Sequence, residues 1–172
     1  NLDPNLELVK KIAGHLLFSG GKRLRPVLML LSARSCGYAK EDAPDFSVIF
    51  EYLHAATLLH DDVVDGALIR RGSPAAHTLW EAPAVVLTGD FLLAKSLELA
   101  AKSDNPEIIR VIAAITREMS QGEIDQMQKK GDYSLSEGEY LSVIKRKTAV
   151  LIEGACRTGA LLAECGTDRI EA

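Results

Sequence analysis

The sequence predicts an all-α protein. Alanine, leucine and glutamate dominate its long segments, and apolar residues return at three- and four-residue spacing, the period of one helix face. No stretch alternates apolar and polar residues over the length of a strand. The breaks between segments carry helix punctuation, with prolines where helices begin and glycines where they stop. One domain over residues 1–172 is expected, because a chain of this length that is 47% hydrophobic can bury one sizeable core.

The elements follow in order. A first helix covers roughly Asn5 to Phe18 and runs into SGGKRLRP, residues 19–26. Pro26 fits the first position of a second helix, which runs to about Ser35 and stops near Gly37. A third spans about Asp42 to Asp65, with Gly66 as its stop. A loop holding Arg70, Arg71, Gly72 and Pro74 follows, then a short helix near Ala75 to Trp80. Helix resumes from about Pro83 to Lys102. SDNPEIIR, residues 103–110, joins a polar cap to Pro106 and opens a helix that continues to about Lys130. After the turn in KGDYSLSEGE, Ser136 and Glu139 form a capping box for a last helix reaching about Glu164.

Composition narrows the function. A net charge of −4 and a pI near 5.6 lack the basic footprint of a nucleic-acid binder. Cys36, Cys156 and Cys165 are too few and too scattered for a disulfide framework or a zinc site, so a reducing, cytoplasmic setting is expected. The apolar stretch around Ala82 to Ala101 is interrupted by Asp90, Lys95 and Glu98. It reads as a buried core helix and not as a transmembrane segment.

The chemistry concentrates in LLHDDVVDGALIRRG, residues 58–72. His54, Leu58, Asp61 and Asp65 share one helix face. Carboxylates one turn apart repel by roughly 0.2–0.5 kcal/mol even when exposed. They also sit with Asp62 at the C-terminal end of a helix, where the macrodipole disfavours anions. A solvated acidic face, or ion pairs with Arg70 and Arg71, is the plainer alternative, and helix electrostatics count against it. A cation resolves the repulsion, and an all-oxygen donor set suits Mg²⁺, which keeps waters and bridges to substrate phosphates. The pattern therefore asks for a phosphorylated substrate. In GGKRLRP two glycines permit close backbone approach, while Lys22, Arg23 and Arg25 precede a helix N-terminus, itself an anion site. Arg70 and Arg71 add guanidinium forks suited to phosphate. Lys147 with Thr148 alone reads as an ordinary surface pair.

Four segments in this order, GGKRLRP (20–26), LLHDDVVDGALIRRG (58–72), LTGDFLLAKSLELA (87–100) and KRKTAVLIEGACRTGA (145–160), resemble the trans-isoprenyl diphosphate synthases, the polyprenyl synthetase family, over about residues 8–165. The DDxxD element alone is weakly specific; joined to RRG at this spacing, with GGKRLRP upstream, it is strong. The resemblance implies an isoprenoid-synthase-type helical bundle around a central cavity. It also implies a homodimer that condenses isopentenyl diphosphate with an allylic diphosphate such as farnesyl diphosphate, with Mg²⁺. It assigns Asp61 and Asp65 to the metal, with Asp62 close by, so that these three and Lys147 carry the catalytic roles. Lys22, Arg25, His54 and Arg71 match positions that hold isopentenyl diphosphate, and Arg70, Lys147 and Thr148 match positions facing the allylic diphosphate. Ala56 and Thr57 match positions where bulky aromatics stop chain growth, so two small residues there imply a medium- or long-chain polyprenyl product.

Other residues take plainer readings. Asp90 matches the family pattern and is expected to make a buried hydrogen bond. Trp80, Met119 and Met127 are expected in the core, Gln121, Glu123 and Asp125 stay unassigned, and Glu81 stands where the family often has glycine. The family's second aspartate-rich motif does not follow Glu164, and family chains are nearly twice this long. The chain is expected to be the N-terminal part of a full enzyme. A short-chain farnesyl or geranylgeranyl diphosphate synthase, a non-catalytic regulatory subunit with the same helical body, and, more weakly, a terpene cyclase are the alternatives.

Overall fold

The computed structural model describes residues 6–166 and Asp168. Helices dominate them: α1 (Glu7–Leu17), α2 (Leu24–Ser35), α3 (Ala43–Val64), α4 (Ala76–Leu79), α5 (Ala82–Ala101), α6 (Pro106–Lys129), α7 (Glu137–Ile144) and α8 (Val150–Leu162). The expected start of the first helix at Asn5 lies outside the described residues.

Local chemistry explains most boundaries. α2 begins two residues before its expected start, so Pro26 is its third residue. It still lies in the first turn, whose N–H groups have no intrahelical partner, and no hydrogen bond is lost. α3 ends where expected: Gly66 takes φ +62° and the Ala67 N–H reaches back to the Asp62 carbonyl at 3.0 Å. Asn105 caps α6 by accepting from the Glu107 N–H at 3.0 Å, with Pro106 at the first position. The box of Ser136 and Glu139 opens α7. The Ser136 hydroxyl, and then Lys129, hold the Glu139 carboxyl down to about 2.

Two features depart from the all-helical expectation. Ile69–Arg70 (β1) pairs antiparallel with Ser73–Pro74 (β2), in the register Ile69 to Pro74 and Arg70 to Ser73. The two turn residues, Arg71 and Gly72, have φ +53° and +79°, the backbone hand a two-residue hairpin favours. Two-residue strands leave no alternation to read. The last expected helix is also not continuous, since Lys145–Ala149 between α7 and α8 is a π-helical turn. α6 approaches it closely: a β-carbon at Gly122 would stand 2.7 Å from Arg146 Cβ and 2.9 Å from the Lys147 nitrogen.

Contacts divide the chain into two compact units, Asn1–Arg23 with Glu51–Glu98 and Leu24–Phe50 with Leu99–Ala172. In the first, α1 lies against α4 and buries Ile12, Ala13, Leu16 and Leu17, while α3 and α5 bury Leu59, Val85 and Leu92. In the second, α8 packs along α2 and α6. Glycines permit that approach: a β-carbon at Gly159 would stand 2.4 Å from the Met29 carbonyl oxygen, and one at Gly154 would stand 1.9 Å from Ile115 Cδ1. The Ser32 hydroxyl donates to the Cys156 carbonyl at 2.6 Å across the α2–α8 seam. No helix among the described residues is long and apolar enough to cross a membrane.

Candidate active site

The acidic cluster forms at the C-terminal end of α3, in the first unit. Asp61 is half-buried. Asp65 lies one residue past the helix and is exposed, yet its N–H still bonds the Asp61 carbonyl at 2.7 Å. The helical register therefore survives to Asp65, and the two carboxylates start from backbone one turn apart. Asp62 differs in kind. It is 1% exposed, and its Oδ1 accepts from Arg70 Nε at 2.8 Å and again from Nη2. Helix rotation explains the split, since adjacent residues on a helix point about 100° apart. The Arg70 pKa is raised first by this hydrogen bond to Asp62, with Asp61 and Asp65 adding their charge. Arg70, expected to face a diphosphate, is thus locked onto Asp62.

Two loops meet beside this cluster. Arg71, at the hairpin turn, donates from Nη1 to the Gly20 carbonyl at 2.5 Å. The backbone of Gly21 lies against the same guanidinium, and a β-carbon there would stand 3.2 Å from Nη1. Gly21 thus allows a close approach, although the group approached is Arg71, while a β-carbon at Gly20 would meet nothing within 4 Å. Lys22 is exposed. Arg23 turns inward to ion-pair with Glu51 of α3 and to donate to the Leu17 carbonyl. Burial, and then the Arg71 charge, lower its pKa. His54 is half-buried on α3, and its carbonyl accepts from the Thr57 hydroxyl at 2.9 Å. Ala56 is buried on the same helix.

Asp90 does not make the expected buried hydrogen bond. It is exposed on α5, 3.4 Å from His60 Nε2, which also lies 3.0 Å from the Val86 carbonyl oxygen. Met127, expected in the core, is exposed on α6, while Trp80 and Met119 are half-buried.

The remaining basic candidates belong to the second unit. Arg25 is half-buried in the first turn of α2. Lys147 and Thr148 sit in the π-helical turn, a distortion frequent at functional sites. Lys147 Nζ pairs with Glu123 of α6 at 2.7 Å, and Thr148 is exposed. Arg146 bonds Asp125 at 2.6 Å and lies 3.5 Å from Glu118. Sequence reasoning left Glu123 and Asp125 unassigned and passed over Arg146, Glu51 and the inward role of Arg23. Local spacing carries no signal for these pairs, because their partners are 21 to 28 residues apart.

Oxygen donors suit a divalent cation at Asp61 and Asp65. Among the described residues no group of three or more histidine, cysteine, aspartate or glutamate side chains converges on a metal position. Two carboxylates with open positions for water and phosphate fit a hard, reluctantly dehydrated ion such as Mg²⁺ better than a closed protein cage would.

A family model described as Polyprenyl synthetase matches residues 6–172. The chain belongs to that family. This polyprenyl synthetase chain is 44% identical over 149 residues to the heptaprenyl diphosphate synthase component 2 of Geobacillus stearothermophilus, covering 87% of the chain and 47% of the relative. It is 38% identical over 163 residues to the all-trans-nonaprenyl-diphosphate synthase (geranyl-diphosphate specific) of Rhodobacter capsulatus, covering 94% and 50%. Its fold matches the crystal structure of a polyprenyl synthase from Caulobacter crescentus CB15, complexed with calcium and isoprenyl diphosphate. The TM-score is 0.96 and the identity 36%, over 99% of this chain and 52% of that one. The all-α, isoprenoid-synthase-type fold class is thereby established. The chain spans about half the length of the relatives it matches.

Proposed function

We propose that the protein containing this chain is a prenyltransferase that condenses isopentenyl diphosphate with an allylic diphosphate and makes a medium- or long-chain trans-polyprenyl diphosphate. The observation that carries the reading is the pair Asp61 and Asp65, one turn apart at a helix end that disfavours anions. The buried Asp62–Arg70 lock and the Arg71–Gly20 bond border that pair. The heptaprenyl and nonaprenyl synthases among the relatives support the product class.

Asp61 and Asp65 would hold Mg²⁺, which when bound polarises the allylic diphosphate and neutralises charge on the leaving group. Lys22, Arg25, His54 and Arg71 bind isopentenyl diphosphate and aim its double bond. Lys147 and Thr148 bind the allylic diphosphate, with Arg70 behind Asp62 adding positive charge. As the allylic C–O bond breaks, the diphosphate takes the electron pair and a carbocation develops at C1. The isopentenyl double bond attacks it, and a proton leaves to restore neutrality. Burying the growing tail away from water protects the cation from hydrolysis.

Separate diphosphate sites have a kinetic signature. In the full-length protein, Lys22→Ala and Arg25→Ala are expected to raise KM for isopentenyl diphosphate about tenfold more than KM for farnesyl diphosphate, since each removes a charge-assisted contact to one substrate. Lys147→Ala is expected to do the reverse. Equal effects on both substrates, measured by steady-state kinetics, rule out the two-site assignment.

We propose a homodimer as the assembly. In the first unit Leu68, Ile69 and Leu87 are exposed, apolar surface that a second subunit would cover. A relative whose name ends in "component 2" favours a second reading, a partner of different sequence. Sedimentation of the full-length protein alone at micromolar concentration is expected to give twice the chain mass. Monomer alone argues for the two-component reading.

A further inference from the structure

We propose that Arg23 and Glu51 form a positioning pair that shapes the isopentenyl diphosphate site without touching the substrate; the inference rests on the functional reading above. Arg23 sits inside the basic run Gly20–Arg25, yet unlike the exposed Lys22 it is half-buried. It bonds the Glu51 carboxylate on α3 and the Leu17 carbonyl at the end of α1. The Glu51 side chain is 14% exposed and that of Arg23 34%, so the carboxylate end of the pair is the shielded one.

The backbone gives the second observation. Gly20 and Gly21 have φ +98° and +130°, and Arg23, a residue with a β-carbon, has φ +50°. A non-glycine residue in that region persists only where its surroundings over-determine it. Arg23's two inward bonds do so at one end of the loop, and Arg71 Nη1 on the Gly20 carbonyl does so at the other. The exposed Lys22 lies between two fixed points. A loop pinned in this way presents its ammonium to an anion with the backbone already ordered, which lowers the cost of binding. The inward turn also has an electrostatic reason. Arg23 and Arg71 repel, and the Glu51 carboxylate offsets the charge of Arg23.

A merely structural pair would weaken everything together; a positioning pair weakens one substrate. Glu51→Gln keeps the shape and removes the charge. Arg23→Lys keeps the charge and loses the fork that reaches both Glu51 and Leu17. Calorimetric titration of the full-length protein with isopentenyl diphosphate alone is expected to show affinity about tenfold lower in each variant. Affinity for a non-reacting thio analogue of farnesyl diphosphate with Mg²⁺ should stay within about twofold. Helix content and melting temperature should match wild type. Wild-type affinity for isopentenyl diphosphate in both variants overturns the inference and leaves the functional reading intact. Equal losses for both ligands, or a variant that fails to fold while Arg23→Lys binds normally, also overturn it. No binding of isopentenyl diphosphate by the wild-type protein overturns the functional reading first, and the inference with it.

Discussion

Replacing Asp61 or Asp65 by alanine is expected to lower kcat of the full-length protein by about a thousandfold, close to 4 kcal/mol of transition-state stabilisation. The fold should be untouched. In the protein alone these carboxylates are a burden on α3, since they stand one turn apart at the end of a helix where anions are disfavoured. Asp65 is exposed, so its removal leaves no cavity and strands no buried partner. The cost falls on the reaction, where the diphosphate must depart with its charge neutralised. Turnover with farnesyl and isopentenyl diphosphates, beside circular dichroism of each variant, checks the split. A variant that keeps turnover within about tenfold of wild type sinks the metal assignment. Mg²⁺ with inorganic diphosphate should raise the melting temperature of wild type by mass action and fail to do so in Asp61→Ala. Asp62→Ala is a different experiment. It leaves the half-buried Arg70 without the acceptor of both its hydrogen bonds, and the damage should show in stability as well as in rate.

Ala56→Phe is expected to shift the products from medium or long chains to short ones. Ala56 is buried on α3, five residues before Asp61, so its side chain lies about 1.4 turns along the helix and about 140° round it from that carboxylate. In the proposed reading, a tail growing from a diphosphate bridged through Mg²⁺ to Asp61 and Asp65 would pass this level early. A phenyl ring there occupies space that the surrounding packing cannot release cheaply, because interiors are close-packed and overfilling them costs about 1–3 kcal/mol. Thr57 beside it is held by its bond to the His54 carbonyl. Chromatography of products by length, with farnesyl diphosphate as primer, decides the matter. Shorter products with turnover retained support a tail path that runs past Ala56. An unchanged distribution with full activity means the tail runs elsewhere.

Most helices, most of their ends and the one-turn spacing of Asp61 and Asp65 were legible in residue order. Caps, prolines and glycines act within one turn of the chain, so Asn105, Pro106, Ser136 with Glu139, and Gly66 set their boundaries wherever the helices are placed. The face shared by Asp61 and Asp65 follows from the helical period alone, as does the repulsion that calls for a cation.

What residue order did not reveal were the partners. Five basic side chains of the run and the hairpin look alike in sequence, but Arg23 and Arg70 turn inward to Glu51 and Asp62, Arg71 ties Gly20, Arg25 is half-buried and Lys22 stays exposed. The hairpin of Ile69–Arg70 and Ser73–Pro74 is too short for any periodicity to announce it. The π-helical turn at Lys145–Ala149 accompanies the close approach of Gly122 on another helix, and nothing within the segment foretells that approach. The division has one physical cause. Backbone hydrogen bonding and capping are decided within about four residues, whereas the direction of a long charged side chain is decided by whichever carboxylate or carbonyl the fold brings within about 3 Å of it.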